Sequence, residues 1–265
     1  MRLLILSLCL LPAALLAAVE SCTTTSRTAV TPVLELFTSE GCSSCPPADR
    51  WLSETLQRHA DGDVIGLSMH VDYWNYLGWK DPFSDARFSA RQAAYRQRSS
   101  TRGVYTPQLL VSGIELPDWS EAGRFESRRD TLAQQKAPIR LGIAMTSNAA
   151  SMLTATIYYQ WLSPQQAEPA EAWLALTESG LGSNVINGEN SGRQLRHDGV
   201  VRAWLGPYVI PAEGLSLNAS FAPKQGWRRE YLSIVALAQQ PNVGRLLQAV
   251  ATTEGVAACS VASRK

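Results

Sequence analysis

The chain has 265 residues, 45% of them hydrophobic and 18% charged, with a formal net charge of +1. That balance belongs to a folded globular protein and excludes a disordered one, and without a long run of like charge nothing calls for nucleic acid or an anionic membrane surface as a partner. The length suits two domains of ordinary size.

Met1 to Ala18 places one arginine ahead of an apolar run that fades into alanine, the build of a secretory signal peptide. The run is short for a membrane span, although an uncleaved anchor is the rival reading. Val19-Glu20-Ser21-Cys22 adds a second option, cleavage after residue 21 with lipidation of Cys22. The mature protein is therefore expected in the periplasm or outside the cell. It would touch a membrane only through a lipidated Cys22 or a retained leader. With Cys9 lost in the leader, Cys22, Cys42, Cys45 and Cys259 remain. If Cys42 and Cys45 pair, Cys22 and Cys259 form either a terminal disulfide or two unpaired thiols.

In chain order, Val33 to Thr38 reads as a strand of apolar and β-branched residues. Pro46 and Pro47 fall in the first turn of the next helix, where a missing amide hydrogen costs least. Ala48 to His59 then repeats Trp51, Leu52, Thr55 and Leu56 at helical spacing. After an Asp61-Gly62-Asp63 turn, Val64 to Val71 is the near-continuous apolar run of a strand buried on both faces. Asp72 to Phe83 is irregular and crowded with aromatics. Ser84 to Ser99 predicts a second helix, Leu109 to Val111 a strand with a hairpin return at 114–116, and Trp119 to Gln135 a third helix.

Composition changes after Lys136-Ala137-Pro138. Runs at 139–146, 152–161, 172–178, 200–205, 215–221 and 231–239 read as strands, and Gly180 to Gly199 as a polar, glycine-rich loop. Trp204, Trp227 and the stretch Arg193 to His197 read as core aromatics and loop surface. The expectation is one α/β unit over residues 30–136 and an all-β, sandwich-like unit over 138–258.

The chemistry concentrates at Cys42-Ser43-Ser44-Cys45, between the first strand and the first helix. Thiols two residues apart can join with little backbone movement, and a helix N-terminus offers free amides and partial positive charge that stabilise a thiolate. In a redox dithiol Cys42, on the exposed side, is the nucleophile and Cys45 resolves the mixed disulfide. Three alternatives stay open here: a redox pair, an inert structural disulfide, and soft metal capture by Cys42, Cys45 and His70, with copper as the fitting ion. His70 is a candidate for proton transfer and Asp72 for the buried acid that serves the resolving thiol. Trp74, Tyr76, Trp79 and Phe83 are candidates to wall the dithiol or to hold a ligand. Tyr105-Thr106-Pro107-Gln108, just before a strand, resembles the segment that thioredoxin-like folds place against their dithiol, with Pro107 cis.

Glu35 to Asp49, E-L-F-T-S-E-G-C-S-S-C-P-P-A-D, resembles the signature of the bacterial secreted domain of unknown function 1223 family. His70 to Trp74, Gly78 to Phe83, Tyr105 to Gln108 and Gly188-Glu189-Asn190 resemble its pattern too. The resemblance implies an α/β thioredoxin-like domain, a mixed central sheet flanked by helices, followed by a β-rich domain. It names no substrate. Partners are expected to be protein thiols or disulfides; no cofactor and no resident metal is expected.

Overall fold

A computed structural model describes residues 22–98, 103–147, 152–252 and 256. Its elements in chain order are β1 (Cys22–Thr25), β2 (Val33–Thr38), α1 (Pro46–Arg58), β3 (Ile65–His70), α2 (Ala86–Arg98), β4 (Gln108–Val111), β5 (Ile114–Glu115) and α3 (Arg124–Ala133). They continue as β6 (Ile139–Ser147), β7 (Leu153–Trp161), β8 (Glu171–Glu178), β9 (Leu181–Asn184), β10 (Gln194–His197), β11 (Val200–Val209), β12 (Leu215–Phe221), β13 (Leu232–Gln239) and β14 (Leu246–Ala251). The protein is sheet-rich, with mixed and antiparallel sheets and three helices among the described residues.

One sheet of eight strands, in the order β14-β13-β8-β11-β3-β2-β4-β5, forms the frame. β2 and β3 run parallel, as a strand–helix–strand unit requires, and β4 returns antiparallel to β2. β11 then joins the free edge of β3 in parallel, with Val200 opposite Ser68. The sheet therefore runs across the expected junction at 136–138 and draws strands from both halves of the chain. A second, antiparallel sheet, β1-β6-β7-β12, packs on the β8, β13 and β14 end of the first.

β2 is buried along its whole length, and its period-two alternation sorts its side chains. Leu34 and Leu36 face Ala48 and Leu52 of α1, while Val33 and Phe37 face the cluster that includes Phe88 and Tyr95 of α2. Each such side chain contributes about 1.5–3 kcal/mol when removed from water. Glu35, on the α2 side, is buried because Arg91 Nε donates to its Oε2 at 2.6 Å and the Tyr95 hydroxyl donates to its Oε1 at 2.6 Å.

The structure also differs from the sequence expectations within single elements, and β1 and β14 answer to no expected strand. The third helix begins at Arg124 rather than Trp119, because Gly123 adopts a left-handed conformation and breaks the helical run. β11 continues through Gly206 and Pro207 to Val209, carried past them by a register shift against β8 between Leu205 and Tyr208. The expected loop at 180–199 contains the β9–β10 hairpin, in register from Leu181–His197 to Asn184–Gln194. Residues 1–18, including Cys9, lie outside the described residues; among the described ones no helix is long and apolar enough to cross a membrane.

Candidate functional site: a disulfide under a clamp

β2 ends at Thr38 in the middle of the sheet, and the chain must turn before α1 can pack back on it. That turn is held locally: Cys42 N donates to Ser39 O at 3.1 Å, Gly41 N to Ser39 Oγ at 3.1 Å, and Cys45 N to Cys42 O at 3.2 Å. Cys45 is the N-cap of α1, and Pro46 and Pro47 open its first turn. Cys42 and Cys45 are joined as a disulfide, with Cα atoms 5.5 Å apart. Both are buried, Cys42 at 1% exposure, so the open placement expected for Cys42 is not what the fold provides.

Three segments distant in sequence close over this disulfide. The Thr106 carbonyl lies 3.8 Å from Cys42 Sγ and accepts from the Ser44 hydroxyl at 3.4 Å, and the Thr106–Pro107 peptide is cis. Trp74 crosses behind, its Nε1 donating to Thr106 Oγ1 at 2.8 Å. A Cβ on Gly41 would sit 3.0 Å from that of Trp74, so the turn and the aromatic loop meet without spare room. The third segment is the turn between β9 and β10. Asn190 is fully buried, and its Nδ2 donates both to Glu40 O at 2.8 Å and to Cys42 O at 2.9 Å. Glu189 accepts from Ser43 N at 2.9 Å, a bond that holds its exposed carboxyl below the usual carboxylate range. Gly188, at φ +76°, brings this turn against Trp79, where a Cβ would lie 3.3 Å away.

Next to the disulfide lies a buried set of ionisable groups. His70 Nδ1 and Asp81 Oδ2 are 2.7 Å apart. Burial pushes His70 down, but the Asp81 carboxylate outweighs it and holds the imidazole above its ordinary pKa. Asp81 is likewise pushed up by burial and drawn lower by His70, and it also accepts from Glu40 N at 2.8 Å and Phe83 N at 2.9 Å. Glu40 accepts from Trp79 Nε1 at 2.8 Å and lies 3.1 Å from His197 Nε2. The rings of His70 and His197 meet edge to face at 4.8 Å, with Phe83 against both. Asp49, one helical turn beyond Cys45, is raised by burial, only partly offset by His197 and His70. Thr38 Oγ1, His70 Nε2, His197 Nδ1 and Asp49 Oδ1 are buried without a hydrogen-bond partner.

The candidates named from the sequence separate accordingly. Cys42, Cys45, Thr106, Pro107 and Trp74 come together at the disulfide; His70, Trp79 and Phe83 belong to the buried set beside it. Tyr76 stands out in solvent at 78% exposure. Asp72 turns toward α2, where its carboxylate accepts from the Ser89 hydroxyl at 2.5 Å. The carboxyls that are buried in this region are Glu40, Asp49 and Asp81. Glu40, Asp49, Asp81, Asn190 and His197 are not among the site residues named from the sequence, although Glu40, Asp49, Asp81 and Asn190 stand inside the quoted motifs. Among the described residues no group of three or more His, Cys, Asp or Glu side chains is arranged to hold a metal ion. Cys22 is disulfide-bonded, and Cys259 lies outside the described residues.

Fold and site together define a sheet-rich α/β protein with a buried disulfide at a strand–helix junction. The chain belongs to the family described as protein of unknown function (DUF1223), whose model matches residues 33–239. Two solved structures resemble it. The protein AGR_C_4864 from Agrobacterium tumefaciens is 24% identical with a TM-score of 0.61, over 85% of this chain and 95% of that one. HBP35 of Porphyromonas gingivalis is 17% identical with a TM-score of 0.64, over 86% of this chain and 76% of that one. At these identities the likeness concerns the fold alone. No curated protein matches the chain.

Proposed function

We propose that the protein is an exported, thioredoxin-like thiol–disulfide exchanger acting through Cys42 and Cys45 on protein thiols or disulfides. The observation that carries this reading is the Cys42–Cys45 disulfide at the carboxyl end of a central parallel strand and the start of α1, with the Thr106 carbonyl against Cys42 Sγ. In the reduced protein the Cys42 thiolate attacks a substrate disulfide, forming a mixed disulfide and releasing one substrate thiolate. Asp49, its carboxyl raised by burial, takes the proton of the Cys45 thiol. The Cys45 thiolate then attacks Cys42 Sγ, closing the Cys42–Cys45 bond and releasing the second substrate thiolate. The substrate gains two electrons and the dithiol loses two; the same steps reversed oxidise a substrate. Ser44 Oγ, 3.4 Å from Cys42 Sγ, donates to the thiolate when it forms. Cys42 is buried, so attack from outside requires the segments packed around it to move.

The burial of both sulfurs favours a second reading, a disulfide that pins the turn of a binding module. The reduction potential of the pair decides between them, measured against glutathione, with Cys42→Ser as the control. Exchange with a small dithiol and a potential above about −300 mV support the redox reading; a lower potential without exchange leaves the structural one. The leader-like residues 1–18 support an exported location in either case.

A further inference from the structure

A cavity of about 620 Å³ opens between α2 and the strands β8 and β11, a size in the range of small-molecule sites. Ala90 and Ala94 leave room on the helix side, and Trp173 and Trp204 form the sheet side. Those two rings stack on each other, centroids 5.1 Å apart at 21°, an aromatic pair opposite small residues.

The lining holds two buried donors without a partner, Arg91 Nη1 and Trp173 Nε1. Arg91 is only 5% exposed. Its Nε is spent on Glu35 and its Nη2 on the Tyr95 hydroxyl and Gln239 Oε1, each at 3.0 Å. Its guanidinium lies 4.9 Å from the centre of the Trp204 ring. A buried donor left unpaired costs about 1–3 kcal/mol, and native proteins keep few of them. Both orphaned groups here are donors, so the complement is a ligand that brings acceptors. One of them is a cation, which favours a carboxylate over a neutral carbonyl.

The backbone around the cavity also adopts shapes open to few residues. Gly206 takes φ +119° freely as a glycine, whereas a Cβ there would lie 2.7 Å from Ala172 O and 3.0 Å from Trp173 Cε3. Asn242 and Val243 both adopt positive φ, at 55° and 50°, and Val243 lines the cavity. A β-branched residue in that region is a true outlier, and such strain collects at ligand sites.

We propose that this cavity binds an aromatic carboxylate, its ring packed between Ala90 and Ala94 and the tryptophan pair and its carboxylate meeting Arg91 Nη1 and Trp173 Nε1. The site does not depend on the state of the disulfide. Arg87 and Glu171 complete the charged lining; Arg87 is already engaged by Asp85 and the Trp204 carbonyl.

The test is calorimetric titration of the oxidised protein with 2-naphthoate, and with 2-naphthylmethanol as the uncharged probe. Naphthoate is expected to bind at one site and naphthylmethanol at least about tenfold more weakly. Trp173→Phe, which keeps an aromatic ring but removes the N–H donor, is expected to weaken naphthoate about tenfold. Ala90→Trp, at an exposed helix position, fills the cavity and is expected to abolish binding. Absence of saturable naphthoate binding to the wild-type protein overturns the proposal. So does naphthylmethanol of equal affinity, or Ala90→Trp protein, folded by circular dichroism, that binds like wild type.

Discussion

Asn190→Ala tests whether the β9–β10 turn truly clamps the disulfide. The wild-type amide gives two buried hydrogen bonds, to Glu40 O and Cys42 O, while its own Oδ1 has no partner. Truncation leaves two carbonyls unsatisfied at about 2 kcal/mol each, within the usual 1–3 kcal/mol per group. Removing the orphaned Oδ1 recovers about 2 kcal/mol of that, so the net loss is about 2 kcal/mol. Asn190→Asp must be worse, because it faces two carbonyl oxygens with a carboxylate rather than a donor. Urea unfolding of the oxidised protein measures both, read from the midpoint at unchanged slope. The same loosening is expected to speed reduction of Cys42–Cys45 by dithiothreitol. A loss below about 0.5 kcal/mol for the alanine variant, or an aspartate variant at least as stable as it, refutes the clamp. Glu189→Ala is the contrast: its bond to Ser43 N is exposed, and stability should change by less than about 0.5 kcal/mol.

Three further predictions follow from the buried charges. Asp49 has a raised folded pKa, so above 3.8 the unfolded state ionises first and folding loses stability until the folded group ionises too. Asp49→Asn is therefore expected to melt higher than wild type at pH 7, with the advantage shrinking as pH falls toward 3.8; a lower melting temperature at pH 7 contradicts this. His70 is raised by Asp81, so its contribution is full below 6.5 and lost as pH rises through the folded value. Asp81→Asn should cost about 3–5 kcal/mol at pH 6 and flatten that alkaline fall, which thermal melts across the range will read. Glu35→Gln leaves the Arg91 cation uncompensated in the core and should cost about 3–5 kcal/mol by urea unfolding; a loss under 1 kcal/mol means that water or another group already serves Arg91.

What the sequence determined by itself was local. The strand at 33–38, the proline-opened helix after it and the dithiol between them follow from side-chain alternation, helix-end chemistry and cysteine spacing, all within about 25 residues. α1 and the buried β3 follow in the same way, and the family that the long motif resembles is the one whose model matches residues 33–239.

What only the tertiary structure decided depends on contacts that no short window contains. Val200 must lie beside Ser68 before β11 can extend the first half's sheet. Asn190 reaches Glu40 and Cys42 across separations of 150 and 148 residues. In the span 180–199 the buried polar members, Asn190 and His197, read as polar surface, because their burial is tolerable only once Glu40 and the Cys42 turn are there to meet them. Asp72 and Asp81 look alike in sequence, yet the chain's turn after β3 sends one to Ser89 and the other under His70. Hydrophobic pattern states which segments become strands; it does not state which polar side chain will find a buried partner, because that partner is supplied by packing.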